Sequence, residues 1–300
     1  MTWSDIYSLL PLGIVAWILW AIFKSPPAPP VRPKSARSEA PRTVAGGDRT
    51  VREAVGPGAA YEPEALRLLH FTSLGNLSGI SLRGVLTRYS LSRLTGANPA
   101  HVNDFFRHDQ EISHEGGVCL SIGHPNAYLL HTFRQRWPDR TYIILELDSA
   151  LLQETAALIV CPTNAASSEV RNLWRHNPDV MRGGRSIEQL FARNIARTKT
   201  ESGALAEKYS RSDRVGRGLT TDPQAELLFL KNINKPKVIK IHVEDPWDKG
   251  EVQGQLLSLA WNLEVVVSAH LFAQRPDSAD WKGYRTDIND FRERVSGHHG

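Results

Sequence analysis

Residues 68–72 of the chain, LLHFT, predict a short buried strand that carries two polar side chains. Successive side chains of a strand point to opposite faces, so His70 and Thr72 share one face while Phe71 packs on the other. Residues 74–83 have apolar side chains at helical spacing and are followed by Gly84, which predicts a short helix directly after the strand.

Further apolar runs along the chain have the length and composition of strands. They are GGVCLSI (116–122), TYIILELD (141–148), AELLFLKNI (225–233), KVIKIHV (237–243) and WNLEVVVSAHLF (261–272). Residues 187–196 form an amphipathic segment of helical spacing. Because strands and helices do not alternate regularly, we predict an α+β fold with short helices rather than a doubly wound sheet.

The composition is that of a globular protein, with 41% hydrophobic and 23% charged residues, which excludes a disordered or collagen-like chain. The net charge of +4 is concentrated in residues 24–52, and residues 53–300 are neutral. The charge therefore does not identify the folded part as a general nucleic-acid binder. The two cysteines, Cys119 and Cys161, exclude a disulfide-rich secreted scaffold.

The N-terminal segment predicts a membrane anchor followed by a tether. Residues 6–23, IYSLLPLGIVAWILWAIF, contain no charge and span about 27 Å as a helix. A cleaved signal peptide and a buried helix are the alternatives, but the segment before residue 6 lacks Lys and Arg. Residues 1–23 are thus predicted to be a single transmembrane helix, and residues 24–60 a disordered tether rich in Pro and Arg. Basic residues directly after the helix predict a single-pass protein of the inner membrane with its folded part in the cytoplasm.

Four local patterns point to chemistry, although none is a common nucleotide or hydrolase motif. The first is His70-Phe71-Thr72, followed by Asn76 and Gly79. The second is NDFFRHD (103–109), which contains Arg107, and the third is SIGHPN (121–126). The fourth is DPQAELL (222–228), in which we expect Gln224 and Glu226 to share one face of a strand.

In this order and spacing, the patterns resemble the DarT family, toxins that use NAD to ADP-ribosylate thymine in single-stranded DNA. The resemblance covers residues 66–243 and implies an ADP-ribosyltransferase fold with a split β-sheet core. It places the transferase domain at 61–245, and residues 246–300 become a C-terminal extension that packs on it. NAD is then a substrate, no metal is required, and the chain is a toxin or phage-defence effector.

The resemblance also assigns roles to individual residues. Glu226 and Arg107 match the family's catalytic residues, and the NAD-binding positions are His70, Phe71, Thr72, Gly79 and Arg107. Residues 182–217 carry a net charge of +5 and lead into the strand of Glu226. We expect them to contact the acceptor DNA through Arg211, Arg214 and Arg217, together with Gln224. A macrodomain antitoxin is the partner that the family implies.

The sequence departs from the family at His131, where an aromatic residue is expected after the Pro-Asn segment; Tyr128 and Phe133 are nearby. Asn126 and Asn164 have either a place in the site or a role in turns. Two further functions stay open. One is an ADP-ribosyltransferase that acts on RNA or protein, and the other is an inactive membrane-tethered module that binds NAD or nucleic acid.

Overall fold

A computed structural model of the chain describes residues 66–94, 116–200, 204–213, 215–216 and 218–297. The predicted transmembrane helix and tether lie outside these residues, as do Arg107, Arg214 and Arg217. Across the described ranges, no helix is long and apolar enough to span a membrane. All of the described residues belong to one compact unit.

Strands dominate the described part and form two sheets. They are β1 (Leu68–Ser73), β2 (Val118–Ile122), β3 (Tyr142–Leu147), β4 (Leu158–Cys161), β5 (Asn194–Lys199), β6 (Glu207–Ser210), β7 (Glu226–Phe229), β8 (Val238–Val243), β9 (Glu264–Val267) and β10 (Tyr284–Thr286). The large sheet has the order β4-β7-β2-β1-β3-β8-β9, and the small sheet has the order β10-β5-β6. Neighbouring strands are antiparallel except β8 and β9, which are parallel.

The large sheet is split between β1 and β2. These two strands pair only at Leu68 with Ile122 and at Leu69 with Ser121. Strand β1 stays paired with β3 as far as Ser73, opposite Tyr142. The sheet therefore consists of one half with β4, β7 and β2 and another with β1, β3, β8 and β9, which separate beyond Leu69.

The helices are short and lie between the strands. They are α1 (Leu77–Arg83), α2 (Arg88–Ser92), α3 (Ala127–Arg136), α4 (Ser168–His176), α5 (Gly184–Gln189), α6 (Pro246–Ser258), α7 (Ala269–Phe272) and α8 (Ile288–Ser296). The mixture of strands and short helices predicted from the sequence is confirmed for this part of the chain. The predicted helix at 74–83 is present as a 3-10 turn, Leu74–Asn76, followed by α1. Gly84 ends it at a φ of +78°, where a Cβ would lie 2.1 Å from the carbonyl oxygen of Ile233.

Three predictions of element type or length were wrong. The amphipathic segment 187–196 does not continue as a helix, because residues from Asn194 pair with β6 and bury Ile195 in the small sheet. The strand predicted at 225–233 is confined to β7, and the segment 261–272 divides into β9 and α7. In the first case, pairing with another strand outweighs the local pattern.

Apolar side chains cover both faces of the large sheet around β1 and β3. Leu68, Ile143 and Leu145 belong to the main core, whereas Leu69 and Ile144 pack in a smaller cluster on the opposite face. Because side chains alternate along a strand, a sheet buried on both faces needs uninterrupted apolar runs. The runs LL (68–69) and YIIL (142–145) meet that requirement, and the polar His70 and Thr72 lie where the sheet splits.

Candidate active site

A cavity of about 540 Å³ opens where β1 and β2 separate. Its size is within the range of protein sites that enclose small organic ligands. Residues from β1, α1, α2, β2, α3 and the first residue of β7 line it. The lining includes five residues predicted from the sequence, namely His70, Phe71, Thr72, Gly79 and Glu226.

His70 bridges the split in the sheet. Its Nδ1 lies 2.9 Å from the carbonyl oxygen of Cys119 on β2. A carbonyl oxygen only accepts hydrogen bonds, so Nδ1 carries the proton and Nε2 keeps its lone pair. Burial lowers the pKa of His70, and the bond to Cys119 offsets part of that effect. At neutral pH the ring is therefore an uncharged acceptor at the cavity wall.

Thr72 and the first turn of α1 form the neighbouring wall. The Thr72 hydroxyl accepts a hydrogen bond of 2.9 Å from the Asn76 side-chain amide, which fixes the position of its oxygen. Gly79 lies one turn away, and apart from its chain neighbours and the backbone of α1, no atom of the described residues lies within 4 Å of an ideal Cβ there. The described residues thus leave space for a ligand beside Gly79. Phe71 lines the cavity and packs edge-on against Phe133, with ring centroids 5.7 Å apart.

Glu226 is the first residue of β7 and is only 4% exposed. Its Oε1 accepts a 2.8 Å hydrogen bond from the Asn126 side-chain amide, and its Oε2 accepts one of 3.4 Å from the Ala165 N–H. Strand β7 lies between β2 and β4, which restrains the backbone on both sides. The carboxylate is therefore held in one orientation at the edge of the cavity.

Asn126 connects the Glu226 carboxylate to α3. Its side-chain oxygen accepts from the Leu129 N–H and caps the helix, while its own N–H donates to the Ser121 hydroxyl. Asn126 therefore has both of the roles that the sequence left open. Asn164 has a turn role: its side chain accepts from the Ala166 N–H, in the turn that presents the Ala165 N–H to Glu226.

The segment before Glu226 differs from the prediction. Gln224 does not share a strand face with Glu226, because β7 begins only at Glu226 and Gln224 lies in the preceding turn. Its N–H donates to the Asp222 carboxylate at 2.8 Å. The other oxygen of Asp222 accepts from the N–H and the hydroxyl of Thr286, on β10. Asp222 thus fixes the approach to β7 against the small sheet, and burial raises its pKa.

The basic stretch 182–217 contains α5 and the paired strands β5 and β6, and Arg211 directly follows β6. The guanidinium of Arg211 donates to the Gly216 carbonyl. Burial, together with the nearby positive charge of Arg275, lowers the pKa of Arg211 to about 10. Among the described residues, Arg211 and Gln224 do not line the cavity. In the same described ranges, no group of His, Cys, Asp or Glu is arranged to hold a metal ion.

Arg88 and Cys119 are cavity residues outside the predicted set. They line the cavity from α2 and β2, and a guanidinium nitrogen of Arg88 lies 3.8 Å from the Cys119 sulfur. Neither belongs to a recognisable motif. The sequence GGVCLSI predicts a strand that contains Cys119, but it does not predict the cavity. Cys119 lines a cavity only because β1 and β2 separate.

No protein-family model matches the chain, and no curated protein matches it. Among solved structures it is similar to DarTG of Thermosipho africanus in complex with ADP-ribose, with 14% identity and a TM-score of 0.42 over 69% of this chain and half of that one. It is also similar to DarT of Thermus sp. 2.9 in complex with NAD+, with 12% identity and a TM-score of 0.42 over 72% and 100% of the two chains. For the same DarT in complex with ADP-ribosylated single-stranded DNA, the identity is 12% and the TM-score 0.43, over 72% and 99%.

Proposed function

We propose that the chain is an NAD-dependent ADP-ribosyltransferase whose acceptor is a thymine base in single-stranded DNA. One observation carries the proposal. His70, Thr72, Gly79 and Glu226 come from segments more than 140 residues apart in the sequence, yet all four line one cavity. Sequence patterns that are individually weak thus converge on one site of the size that a small-molecule substrate needs.

The side chains suit the transfer of ADP-ribose. In this reaction the bond between the nicotinamide nitrogen and ribose C1′ breaks, and its electron pair leaves with nicotinamide. The ribose then carries positive charge until an acceptor atom bonds to C1′ and gives up its proton. A fixed carboxylate at the ribose hydroxyls, such as Glu226, favours that charge. The neutral His70, with the lone pair of Nε2, is suited to accept a hydrogen bond from a ribose hydroxyl.

The choice of acceptor rests on the residues that precede β7 and on the sequence resemblance. Residues 182–217, which include the hairpin of β5 and β6, carry a net charge of +5, which favours a polyanionic acceptor such as DNA. In the small sheet, the guanidinium of Arg197 on β5 lies over the rings of Tyr209 on β6 and Tyr284 on β10, at 4.5 and 4.1 Å from their centroids. Arg107, Arg214 and Arg217 remain proposed contacts to the acceptor, and Arg107 is the proposed group that orients or deprotonates the base.

The same proposal includes attachment to the membrane through residues 6–23 and, by family resemblance, control by a macrodomain antitoxin. Attachment is supported by the uncharged run of eighteen residues and by the basic residues that follow it. A tethered enzyme is confined to nucleic acid near the inner face of the membrane, which suits the modification of incoming phage DNA.

The test is acceptor profiling with the full-length chain in detergent micelles. Each reaction would contain NAD labelled in the adenosine part and one acceptor. The acceptors are single-stranded DNA with thymine, single-stranded DNA without thymine, RNA and lysate protein. Free nicotinamide would be measured in parallel. Glu226→Gln removes the catalytic charge while keeping the shape of the side chain. Glu293→Gln, an exposed position on α8, is the matched control.

We expect label on thymine-containing DNA with the wild type and Glu293→Gln, and none with Glu226→Gln. Label only on RNA or protein would keep the enzyme class and replace the acceptor. Binding of NAD without release of nicotinamide, at equal levels in the wild type and Glu226→Gln, would support the inactive binding module instead.

A further inference from the structure

A cluster of two arginines and one tryptophan lies at the end of α3, next to the cavity. The guanidinium groups of Arg136 and Arg140 lie over the ring of Trp137, at 5.2 and 5.0 Å from its centroid. Trp137 in turn packs against Phe133, with ring centroids 5.1 Å apart. Phe133 and Arg140 line the cavity, whereas Arg136 and Trp137 do not, and Arg136 is exposed. This basic-aromatic cluster, Arg136, Trp137 and Arg140, therefore continues from the cavity wall onto the outer surface.

Backbone hydrogen bonds hold the basic-aromatic cluster in place. The Trp137 N–H donates to the carbonyl oxygen of Phe133 and ends α3, and the Arg140 N–H donates to the carbonyl oxygen of Trp137 across a tight turn. Strand β3 begins two residues after Arg140 and is paired on both sides. The face of an aromatic ring attracts a cation, which offsets part of the repulsion between the two guanidinium groups. Both positive charges are thus held at one ring on a fixed backbone.

The exposed charges at the mouth of the cavity are positive. Of the described charged residues in the lining, Arg83 and Arg140 are exposed, and the carboxylate, that of Glu226, is buried. In the described ranges, neither Arg83 nor Arg140 belongs to a salt bridge. Asp139 is an exposed acid in the same turn, and Arg136 and Arg140 outnumber it. The mouth and the adjoining cluster are therefore expected to attract an anion.

Two substrates of the proposed reaction carry phosphates, namely NAD and a polynucleotide acceptor. A dinucleotide inside the cavity reaches Arg140 on the wall, but Arg136 lies outside the lining. A ligand that contacts both must extend out of the cavity, as a strand does when its acceptor base is inside. Proteins bind single strands through basic side chains at the backbone and through aromatic rings or guanidinium planes on which unpaired bases stack. The basic-aromatic cluster offers both kinds of group at one place.

We propose that Arg136, Trp137 and Arg140 bind the acceptor strand next to the base that is modified. The guanidinium groups contact its phosphates, and the planar groups of the cluster stack against a neighbouring base. This inference rests on the proposed function and deepens it by naming a DNA-binding surface outside residues 182–217. Because a duplex keeps its bases paired and stacked, the same surface favours single-stranded over double-stranded DNA.

The test measures two affinities of the full-length chain in micelles. Fluorescence anisotropy at several salt concentrations gives the binding of a thymine-containing single-stranded oligonucleotide, and calorimetry gives the binding of NAD. Arg136→Met removes a charge outside the cavity, and Arg292→Met on α8, which does not line the cavity, is the matched control. We expect Arg136→Met to weaken DNA binding roughly fivefold and to leave NAD binding unchanged. The slope of log K against log salt concentration should fall in magnitude by about 0.7, as for the loss of one phosphate contact. Arg292→Met should change neither affinity.

A second measurement uses the wild type and does not depend on the folding of a variant. Single-stranded DNA that carries 5-bromouracil in place of thymine crosslinks under ultraviolet light to nearby aromatic side chains, and mass spectrometry of the peptides locates the crosslinks. We expect crosslinks within residues 133–140 and none within α8. Unlabelled single-stranded DNA should suppress them more effectively than the same sequence as a duplex.

The outcomes separate this inference from the proposed function. If Arg136→Met binds DNA as the wild type does, with the same salt dependence, or if the crosslinks avoid residues 133–140, the role of the cluster is overturned while the transferase proposal stands. An equal loss of NAD binding in Arg136→Met would assign the cluster to the dinucleotide and overturn its role in DNA binding. If the wild type binds NAD but no single-stranded DNA, the role of the cluster and the DNA acceptor are overturned together, and the transfer of ADP-ribose is not.

Discussion

Replacing Gly79 by alanine is expected to affect the stability of the fold and the binding of NAD differently. Gly79 lies in the first turn of α1, where a helix gains about 0.5–1 kcal/mol from alanine in place of glycine. Among the residues that the structure describes, no atom beyond its chain neighbours and the helix backbone lies within 4 Å of the added methyl group. We therefore predict that Gly79→Ala leaves the free energy of unfolding unchanged or raises it, yet weakens NAD binding, because the methyl group fills space that the substrate occupies.

Thermal unfolding and calorimetry of NAD binding check this prediction. Gly254→Ala is the matched control, since Gly254 is exposed within α6 and its surroundings are equally empty. It should show a similar effect on stability and no effect on NAD. Equal NAD affinities for Gly79→Ala and the wild type would show that the substrate does not approach α1.

His70 makes the stability of the fold depend on pH. Because burial lowers its native pKa below 6.5, the unfolded chain binds more protons than the native one at acidic pH. Its contribution is complete above pH 6.5 and is lost as the pH falls through the native pKa. The slope from this one group is at most about 1.4 kcal/mol per pH unit.

Urea unfolding at pH 7.5 and pH 5.5 measures the effect. His124 is also buried with a lowered pKa and acts in the same direction, so the wild type alone does not isolate His70. We predict that His70→Gln, which keeps a donor for the Cys119 carbonyl, loses less stability between the two pH values than the wild type does. An identical loss would mean that His70 is not the group that titrates.

At the scale of elements, Asp222 joins the start of β7, the strand that carries Glu226, to the small sheet. Its carboxylate accepts from Gln224 and twice from Thr286, and it is 2% exposed. In Asp222→Asn, the new amide must turn an N–H toward one of these donors. We predict a loss of about 2 kcal/mol in the free energy of unfolding, since one buried polar group loses its partner. We also predict a lower rate of transfer, because the approach to Glu226 is no longer fixed.

Chemical unfolding and nicotinamide release measure the two effects. Asp280→Asn is the control, at an exposed carboxylate near the same small sheet, and should change stability by less than about 0.5 kcal/mol. An Asp222→Asn variant of full activity would show that the turn before β7 is positioned by other contacts.

The sequence predicted most of the strands, but not which strands pair with one another. The alternation in LLHFT was sufficient to place His70 and Thr72 together on one face, and both line the cavity. The same alternation did not apply to Gln224, because Asp222 draws that residue into a turn through a bond to its backbone. Neither Arg88 nor the anchoring of Glu226 by Asn126 was predictable, since both depend on where the sheet splits and on contacts across 100 residues of sequence.

At the scale of the molecule, residues 246–300 contribute to both sheets and to the main core. Strand β9 is an edge strand of the large sheet, and β10 is an edge strand of the small sheet. Phe291 on α8 is fully buried in the main core. Strand β10 also supplies Thr286, the partner of Asp222. These contacts favour a single cooperative unit over a transferase domain that is complete at residue 245.

We predict that a chain truncated after Asp245 loses cooperative unfolding as well as NAD binding, because it exposes the edge of β8 and removes the support of the turn before β7. Circular dichroism during heating and size-exclusion chromatography in micelles test this. In the full chain, Phe291→Ala should lower the free energy of unfolding by about 3–5 kcal/mol, since it leaves a cavity in the core, while Glu293→Ala on the exposed face of α8 should be nearly neutral. A truncated chain that unfolds cooperatively and binds NAD would instead make residues 246–300 a dispensable extension, and the effect of Phe291→Ala would then be confined to local unfolding of α8.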